Sequence, residues 1–455
     1  MSDTPLYTAL RALADENPLR LCMPGHKGAF MPEASFLPLA EIDFTELPPT
    51  GNLYEGVGPI SDAERLLAAA YGAPQAFFLT GGSTQGVLAA LALACPPGSR
   101  FLCDRACHKS VQAAAVLLDL TPEFVYPEMT RFGFTGRIQP EALAAAFRRV
   151  PDAAAFILVS PTYYGVRQDI PALAAVCRAA GARLIVDSAH GAHFPALGIS
   201  SAVEDGAALA VLSAHKTLPA MGQSAFLLAD SSFSPDAVRR FTALFGTSSP
   251  SYALMASLDL ARAHLTSQEG RAAWRGAMER VASLRERISR STPLHALCPS
   301  DGLVLDPCRL TVHMPPGASG NALSQALISS YNLFCEMADE RNVVFIFTSC
   351  DDSARGDALF EALSALSCGF SETDEEQAPL SVPHPERVCS PRTAFFSAGE
   401  AVALSHACGR VCARDITPYP PGIPVLCAGE RVDEFCIEYL MKIGYNKCSK
   451  ILVMS

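Results

Sequence analysis

The hydrophobic residues between positions 75 and 229 fall into short continuous runs, separated by longer stretches rich in alanine and leucine. These runs are apolar throughout instead of alternating with polar residues, which is typical of a sheet covered by helices on both faces. Seven runs predict strands, and they lie at residues 76–80, 101–103, 123–126, 155–160, 183–187, 209–213 and 225–229. Because stretches of helical length and composition separate most of them, we predict an α/β fold with a mostly parallel sheet.

The chain beyond residue 250 has a different order of predicted elements. The stretch 252–289 is dense in Ala, Leu, Arg and Glu and predicts one long helix. Residues 303–366 then predict strand (303–314), helix, strand and helix, an α+β pattern. We therefore predict an N-terminal segment, a large domain, a smaller α+β domain, an acidic linker, and a C-terminal segment with a proline-rich loop. Their predicted ranges are 1–60, 61–295, 296–370, 371–390 and 391–455.

Composition and charge exclude several classes of protein. The 455 residues are 49% hydrophobic, and 35 Lys and Arg stand against 46 Asp and Glu, a net charge of −11. This balance argues against a nucleic-acid partner and is compatible with a small cationic substrate. We predict no membrane span, because no apolar run approaches the ~18 residues needed, and no signal peptide. The sixteen cysteines lie scattered in apolar stretches without zinc-ribbon spacing, which predicts reduced thiols, no metal and a cytoplasmic location.

A glycine-rich turn follows the first predicted strand and opens an Ala- and Leu-rich helix. It contains Gly82, Ser83 and Thr84. Its glycines let a ligand approach the backbone, and its N–H groups and hydroxyls suit a phosphate. A simple turn with a Ser/Thr cap explains the pattern equally well. The sequence is neither a Walker loop nor the dinucleotide-binding pattern.

Further polar residues close the apolar runs, where open α/β sheets place their ligands. Asp187 ends one strand, and a carboxylate delivered there is costly unless it meets a cation. Lys216 lies just beyond the next strand, and a lysine in a dry site can form an imine with an aldehyde. Taken alone, Asp187 is equally well explained as a turn residue, and Lys216 is explained as a solvated lysine. The prediction of a site that forms an imine therefore depends on the two residues together. Ser213 and His215 flank the lysine and are candidates to hold a phosphate.

The motifs together resemble the Orn/Lys/Arg decarboxylase family, pyridoxal-phosphate enzymes with the aspartate-aminotransferase type of fold. The resemblance runs from about residue 20 to about residue 430. It rests on these segments: Met23-Pro24-Gly25-His26-Lys27-Gly28, Gly58-Pro59-Ile60, Gly82-Ser83-Thr84, Asp104 to Ser110, Val186 to His193, Ser213 to Pro219, Tyr419 to Pro424, and Gly429-Glu430. It implies decarboxylation of arginine, lysine or ornithine, with pyridoxal 5'-phosphate as cofactor.

The resemblance also implies roles for single residues. Lys216 would hold the cofactor as a Schiff base, Asp187 would pair with its ring nitrogen, and His108 would stack on the ring. The phosphate would be held by Gly82, Ser83, Thr84, Ser213 and His215. His190 or Lys216 is the candidate proton donor at the substrate carbon. A homodimer is the family expectation, with the loop 247–250 as a segment that crosses to the partner.

This chain departs from the family pattern at two motifs. It has Ser188 where many members have Glu, and Ala214 where many have Thr, so one hydroxyl near the phosphate is missing. From the position of the Pro24-Gly25-His26 segment we also expect a short form without the N-terminal wing domain of the long bacterial enzymes. An aminotransferase or another lyase, or a regulatory relative without activity, remain alternatives. The acids that could meet the distal cation of a substrate are Asp43, Glu46, Glu55, Glu400 and Glu430.

Overall fold

The computed structural model describes residues 3–370, 382–418 and 422–455, and its strands follow the apolar runs. The strands are β1 (Gln75–Leu79), β2 (Arg100–Asp104), β3 (Thr121–Val125), β4 (Ala155–Val159), β5 (Arg183–Asp187), β6 (Leu209–Leu212), β7 (Ala225–Ala229), β8 (His295–Ala296), β9 (Arg309–His313), β10 (Met337–Ala338), β11 (Asn342–Ile346), β12 (Gly399–Ala403) and β13 (Lys450–Met454).

The helices fill most of the intervals between these strands. They are α1 (Pro5–Asp15), α2 (Leu37–Ile42), α3 (Gly58–Ala70), α4 (Gly82–Ala94), α5 (Lys109–Leu118), α6 (Pro140–Arg149), α7 (Ile170–Ala179), α8 (Ala214–Thr217), α9 (Pro235–Leu244), α10 (Tyr252–Thr266), α11 (Gln268–Ser291), α12 (Gly320–Tyr331), α13 (Ser353–Ser367), α14 (Pro391–Phe396) and α15 (Glu434–Lys442).

The chain divides into two compact units. The first contains Met1–Ala94, Arg183–Gly276 and Thr348–Cys350, and the second contains Cys95–Ala182, Ala277–Phe347 and Asp351–Ser455. In the first unit, the strand order is β1, β7, β6, β5. β5 and β6 are parallel, whereas β7 is antiparallel to both of its neighbours. The carboxyl ends of β1, β5 and β6 therefore share one edge with the amino end of β7, and we name this the carboxyl edge.

Helix α4 packs very closely on the sheet of the first unit. A Cβ placed on Gly86 would lie 2.6 Å from Cγ1 of Val211 on β6 and 2.8 Å from Cδ1 of Leu79 on β1. Only glycine fits at this distance, because interior side chains leave no spare volume. Gly86 thus allows the helix to lie directly over β1 and β6. This packing fixes where the first turn of α4 lies relative to the carboxyl edge.

The second unit contains three further groups of elements. In the first, β2 lies between β3 and β4 and is parallel to both. In the second, the antiparallel sheet of β8 to β11 packs with α12 and α13 around an apolar core that includes Leu310, Val343 and Leu363. In the third, β12 pairs with β13 beside α15. The sequence patterns did not predict this last pair of strands.

The predicted helix at 252–289 is wrong in one respect, because two helices occupy this stretch. Ser267 has φ −67° and ψ 157°, an extended conformation that ends α10. Its Oγ accepts a hydrogen bond of 2.9 Å from the N–H of Gly270 and so caps α11. Serine competes with helical backbone hydrogen bonds in this way and is favoured at caps.

The predicted strand at 303–314 is too long, since β9 begins only at Arg309. Pro307 has no N–H to donate, and Asp306 Oδ1 accepts from the N–H of Cys308 at 2.9 Å, which forms a turn there.

Two predicted segments lie partly outside the described residues. These are the linker 371–390, at residues 371–381, and the proline-rich loop, at residues 419–421. The predicted domain boundaries stay predictions. Among the described residues, no helix has both the length and the apolar composition to cross a bilayer.

Candidate active site

A buried carboxylate stands at the carboxyl edge of the first unit. Asp187 is the last residue of β5, and its side chain is 4% exposed. One oxygen accepts a hydrogen bond of 3.1 Å from the N–H of Ala189. Burial raises the pKa of Asp187, and the positive charge of Lys216 opposes this rise. A carboxylate in this position favours a cationic group as its neighbour.

Lys216 lies on the short helix α8, directly after β6, at the same edge. The register pairs Asp187 with Val211, so β5 and β6 end side by side. The Nζ of Lys216 is 3.2 Å from Nε2 of His190, in the loop that follows β5. When the lysine is protonated it donates to Nε2, and the second nitrogen of His190 then carries the ring proton. This contact gives the amine a neighbour that can accept or return a proton.

The turn around Lys216 contains several buried polar groups. Nδ1 of His215 donates to the carbonyl oxygen of Ser224 at 2.9 Å, which joins α8 to the start of β7. The hydroxyls of Thr80, Ser213 and Ser224 are buried, yet none has a hydrogen-bond partner within the described part of the chain. Such buried hydroxyls are uncommon, because leaving one unpaired costs about 1–3 kcal/mol. All three lie at the carboxyl edge.

The predicted glycine-rich turn forms the first turn of α4 at this edge. Gly82 has φ +71°, a conformation that favours glycine. A Cβ on Gly82 would lie 3.7 Å from the carbonyl oxygen of Gln223, the residue before Ser224. Ser83 is half-buried and Thr84 is exposed. The first N–H groups of α4 have no acceptor within the helix, so they and the helix dipole favour an anion here.

The structure brings most predicted site residues together in the first unit. The end of β5 and the residues that follow β5 and β6 carry Asp187, His190, Ser213, His215 and Lys216, all at the carboxyl edge. His108 belongs to the second unit, where it is the N-cap of α5. Its Nδ1 accepts from the N–H of Ser110 at 3.2 Å and is 3.0 Å from the Ser110 hydroxyl. Its stacking role stays a prediction.

Two glutamines at this edge make contacts that the sequence patterns did not indicate. Gln223 has φ +77°, which is unusual for a residue with a side chain. Its carbonyl oxygen lies next to Gly82. Gln85 is buried in the first turn of α4 and accepts a hydrogen bond from the N–H of Gly81 at 2.8 Å. No local sequence pattern distinguishes a glutamine that makes such contacts from any other glutamine in a turn or helix.

The acids considered for the distal cation of a substrate have different surroundings. Asp43 Oδ2 is 3.3 Å from Nε2 of His26. Glu430 is 1% exposed and is 3.3 Å from Arg105 and 3.6 Å from Arg387. It also accepts from the N–H of Cys427 at 2.7 Å. Because its oxygens already have these partners, we assign Glu430 to the stability of the second unit.

The buried position of Glu430 leads to a prediction about stability. Glu430→Ala removes one side of a buried ion pair and leaves Arg105 without compensation, which costs about 3–5 kcal/mol. We expect the thermal midpoint of the protein to fall by several degrees. Glu400→Ala is the matched control, since Glu400 forms an exposed pair with Arg410 at 2.9 Å and such pairs contribute about 0–1 kcal/mol. Equal midpoints for the two variants, measured by calorimetry, would contradict this assignment.

The arrangement of strands and helices defines a fold class, the α/β fold of the aminotransferase type. The structure matches an alanine–glyoxylate aminotransferase from Nostoc sp. with a TM-score of 0.55, over 68% of this chain and 86% of that chain, at 20% identity. It matches the constitutive lysine decarboxylase of E. coli with a TM-score of 0.85, over 99% of this chain and 82% of that chain, at 20% identity. The predicted fold class is confirmed.

The family follows from comparison of the sequence itself. Residues 4–304 match the major domain of Orn/Lys/Arg decarboxylase, and residues 376–446 match the C-terminal domain of the same family. The chain is also 31% identical to an arginine decarboxylase of Bacillus subtilis, over 97% of this chain and 93% of that protein. The chain therefore belongs to the Orn/Lys/Arg decarboxylase family. The predictions of this family and of a decarboxylase are confirmed.

Proposed function

We propose that this chain decarboxylates a basic amino acid with pyridoxal 5'-phosphate as cofactor, and that arginine is its preferred substrate. The observation that carries the proposal is the convergence of Asp187, Lys216 and the first turn of α4 at one edge of a sheet. Family membership supports the reaction. The similarity to the arginine decarboxylase of Bacillus subtilis supports arginine, and the acidic net charge is compatible with a cationic substrate.

The residues at the carboxyl edge fit the chemistry of this cofactor. A phosphate would occupy the first turn of α4, held by Gly82, Ser83 and Thr84. It would also accept hydrogen bonds from Ser213 and His215 on the neighbouring loop. The unpaired hydroxyl of Ser213 supports this fit, because a phosphate oxygen would give it the partner that the described residues do not provide.

Two residues would complete the binding of the cofactor. Asp187 would hold a proton on the ring nitrogen, since a buried carboxylate is stabilised by a cationic neighbour. His108 is our candidate for the face of the ring. When bound, the cofactor supplies an electron sink for the pair released as carbon dioxide leaves. The protein supplies binding, orientation and the placement of protons.

Lys216 and His190 form the pair that would handle protons in this reaction. Lys216 would bind the cofactor covalently and would give up that bond when the substrate amine enters. Its Nζ and Nε2 of His190 are 3.2 Å apart, so a proton can pass between them without a large movement. We propose His190 or Lys216 as the group that returns a proton to the substrate carbon.

The assembly and location of the protein remain predictions. We propose a homodimer and a cytoplasmic location. The exposed apolar side chains of Leu19, Leu21 and Phe30 support an additional protein contact, because large exposed hydrophobic groups that cluster along a segment mark interaction sites. The described cysteines have no disulfide partners, which is compatible with a reducing compartment.

The unpaired hydroxyl of Ser213 allows a test of phosphate binding. Ser213→Ala removes a buried group that has no partner in the described chain, so we expect the cofactor-free protein to keep its thermal midpoint or to gain stability. We expect the dissociation constant for pyridoxal phosphate to rise by about tenfold, the effect of one hydrogen bond to a charged group. Titration of the cofactor-free protein measures this constant. Ser364→Ala, a second buried hydroxyl without a partner in the described chain, is the control. A lower thermal midpoint together with an unchanged dissociation constant for pyridoxal phosphate would refute the role of Ser213 in phosphate binding.

The proposed reaction is tested by measuring release of carbon dioxide. Purified protein with pyridoxal phosphate is incubated separately with arginine, lysine and ornithine at equal concentrations. We expect kcat/KM to be highest for arginine. No release from any of the three would refute the decarboxylase proposal, and transfer of an amine to a keto acid without gas would indicate an aminotransferase. A higher kcat/KM for lysine or ornithine than for arginine would refute only the proposed preference for arginine.

A further inference from the structure

A buried glutamine ties the first turn of α4 to the rest of the first unit. Gln85 is 2% exposed. Its Oε1 accepts the hydrogen bond of 2.8 Å from the N–H of Gly81, and its Nε2 donates to the carbonyl oxygen of Thr242 at 2.7 Å. The side chain therefore connects the backbone just before the turn to the last part of α9. Both ends of its amide are used, so its orientation is determined by its contacts.

A tyrosine from the N-terminal segment lies against this amide. The Tyr54 hydroxyl lies beside the amide of Gln85, and this contact opposes the rise that burial causes in the pKa of Tyr54. The same hydroxyl donates to the carbonyl oxygen of Thr247 at 3.1 Å. The Tyr54 hydroxyl, the Gln85 amide and the carbonyl oxygen of Thr242 meet beside Gly246. A Cβ there would collide with the Tyr54 hydroxyl and would lie 2.5 Å from Nε2 of Gln85. This close contact explains the glycine at 246.

The segment that carries Tyr54 is itself held on both sides. The carbonyl oxygen of Leu53 accepts from Arg239 at 2.9 Å, and Arg239 forms a buried pair with Glu64 at 2.7 Å. The carbonyl oxygen of Gly51 accepts from the hydroxyl of Tyr252. Tyr54 is thus fixed by its own backbone as well as by its hydroxyl. It offers a rigid support for Gln85.

We propose that Gln85 is a positioning residue that fixes the turn of Gly81 to Thr84 in the shape that accepts a phosphate, and that Tyr54 holds Gln85 in place. The hydrogen bond to Gln85 orients the peptide of Gly81, so the following N–H groups are directed outward at the start of α4. An anion site that is already in this shape binds more tightly, since less freedom is lost on binding. The inference rests on the proposed use of pyridoxal phosphate.

The experiment compares two ligands that differ only in the phosphate. Cofactor-free protein is titrated with pyridoxal phosphate and with pyridoxal, and dissociation constants are obtained from absorbance or fluorescence. For Gln85→Leu we expect the constant for pyridoxal phosphate to rise about tenfold, while the constant for pyridoxal changes less than about twofold. Gln85→Glu keeps an oxygen for Gly81 and is expected to lie between wild type and Gln85→Leu. Tyr54→Phe is expected to weaken phosphate-dependent binding by a smaller factor.

A matched control is available on β1, the strand that precedes α4. Gln75 donates from Nε2 to the backbone of Asp230 and Phe233 at 3.0 and 2.8 Å, at the opposite edge of the sheet. Gln75→Leu is therefore expected to leave the ratio of the two constants unchanged. Equal weakening of both ligands in Gln85→Leu would overturn the inference, because a general structural role has that effect. If the ratio of the two dissociation constants in Gln85→Leu equalled that of the wild type, the inference would also be overturned. If Gln85→Leu did not fold, the same ratio measured in Gln85→Glu and Tyr54→Phe would decide instead. A wild-type protein that binds neither ligand would refute the proposed function itself.

Discussion

Replacing Lys216 with alanine is expected to abolish decarboxylation and the visible absorbance of the bound cofactor while leaving the fold intact. The amine of Lys216 would be the only group that bonds covalently to the cofactor, so its removal should lower kcat/KM by at least about a thousandfold. The side chain is half-buried, and its Nζ contacts Nε2 of His190 at 3.2 Å. We expect the far-ultraviolet circular dichroism to be unchanged, because the substitution removes one side chain from the short helix α8 and leaves the strands of the sheet intact.

Lys442→Ala is the control for this variant. Lys442 is an exposed residue at the end of α15, in the second unit. We expect this control to keep both activity and absorbance. Residual turnover near the wild-type rate in Lys216→Ala would mean that another residue serves the reaction.

Replacing Asp187 with asparagine is expected to separate cofactor binding from catalysis. The amide keeps the shape of the carboxylate. It also keeps an oxygen that can accept from the N–H of Ala189, which is 3.1 Å from Oδ1 of Asp187 in the wild type. It lacks the charge that would stabilise a proton on the ring nitrogen. We expect kcat to fall about a hundredfold to a thousandfold, as when other buried electrostatic contacts in active sites are removed. The absorbance of the bound cofactor should persist, unlike in Lys216→Ala.

The same substitution at the opposite edge of the sheet provides the control for Asp187. Asp230 follows β7 and accepts from the N–H of Ser232 at 2.9 Å, the same kind of turn that Asp187 forms. Asp230→Asn is therefore expected to change stability slightly and activity not at all. If both variants lost activity to the same extent, the loss would come from the turn and not from the charge of Asp187.

The sequence predicted the elements and the edge of the candidate site because the signals for both are local. Continuous apolar runs placed β5 and β7 at their observed bounds. Asp187 and Lys216 follow neighbouring parallel strands, so a general rule for such sheets was enough to bring them to one edge. The motif resemblance then assigned a chemistry to them. Family, fold class and reaction were all accessible in this way.

The remaining features depend on contacts between distant parts of the chain. The antiparallel position of β7 between β1 and β6 follows from pairing, not from the composition of any one strand. Tyr54 reaches Thr247 across 193 positions, and nothing near Tyr54 in the sequence indicates this contact. The break at Ser267 is local, but a single serine in a helical pattern does not usually end a helix. The pairing of β12 with β13 was missed because β12 is largely exposed and has no continuous apolar run.

The identity of the lysine that binds the cofactor tests the account most directly. The chain has six lysines, so chemical trapping can distinguish among them. The protein loaded with pyridoxal phosphate is reduced with borohydride and digested, and mass spectrometry locates the pyridoxyl group. We expect a single modified peptide with the group on Lys216. Modification at another lysine, or none at all while the protein releases carbon dioxide, would contradict it.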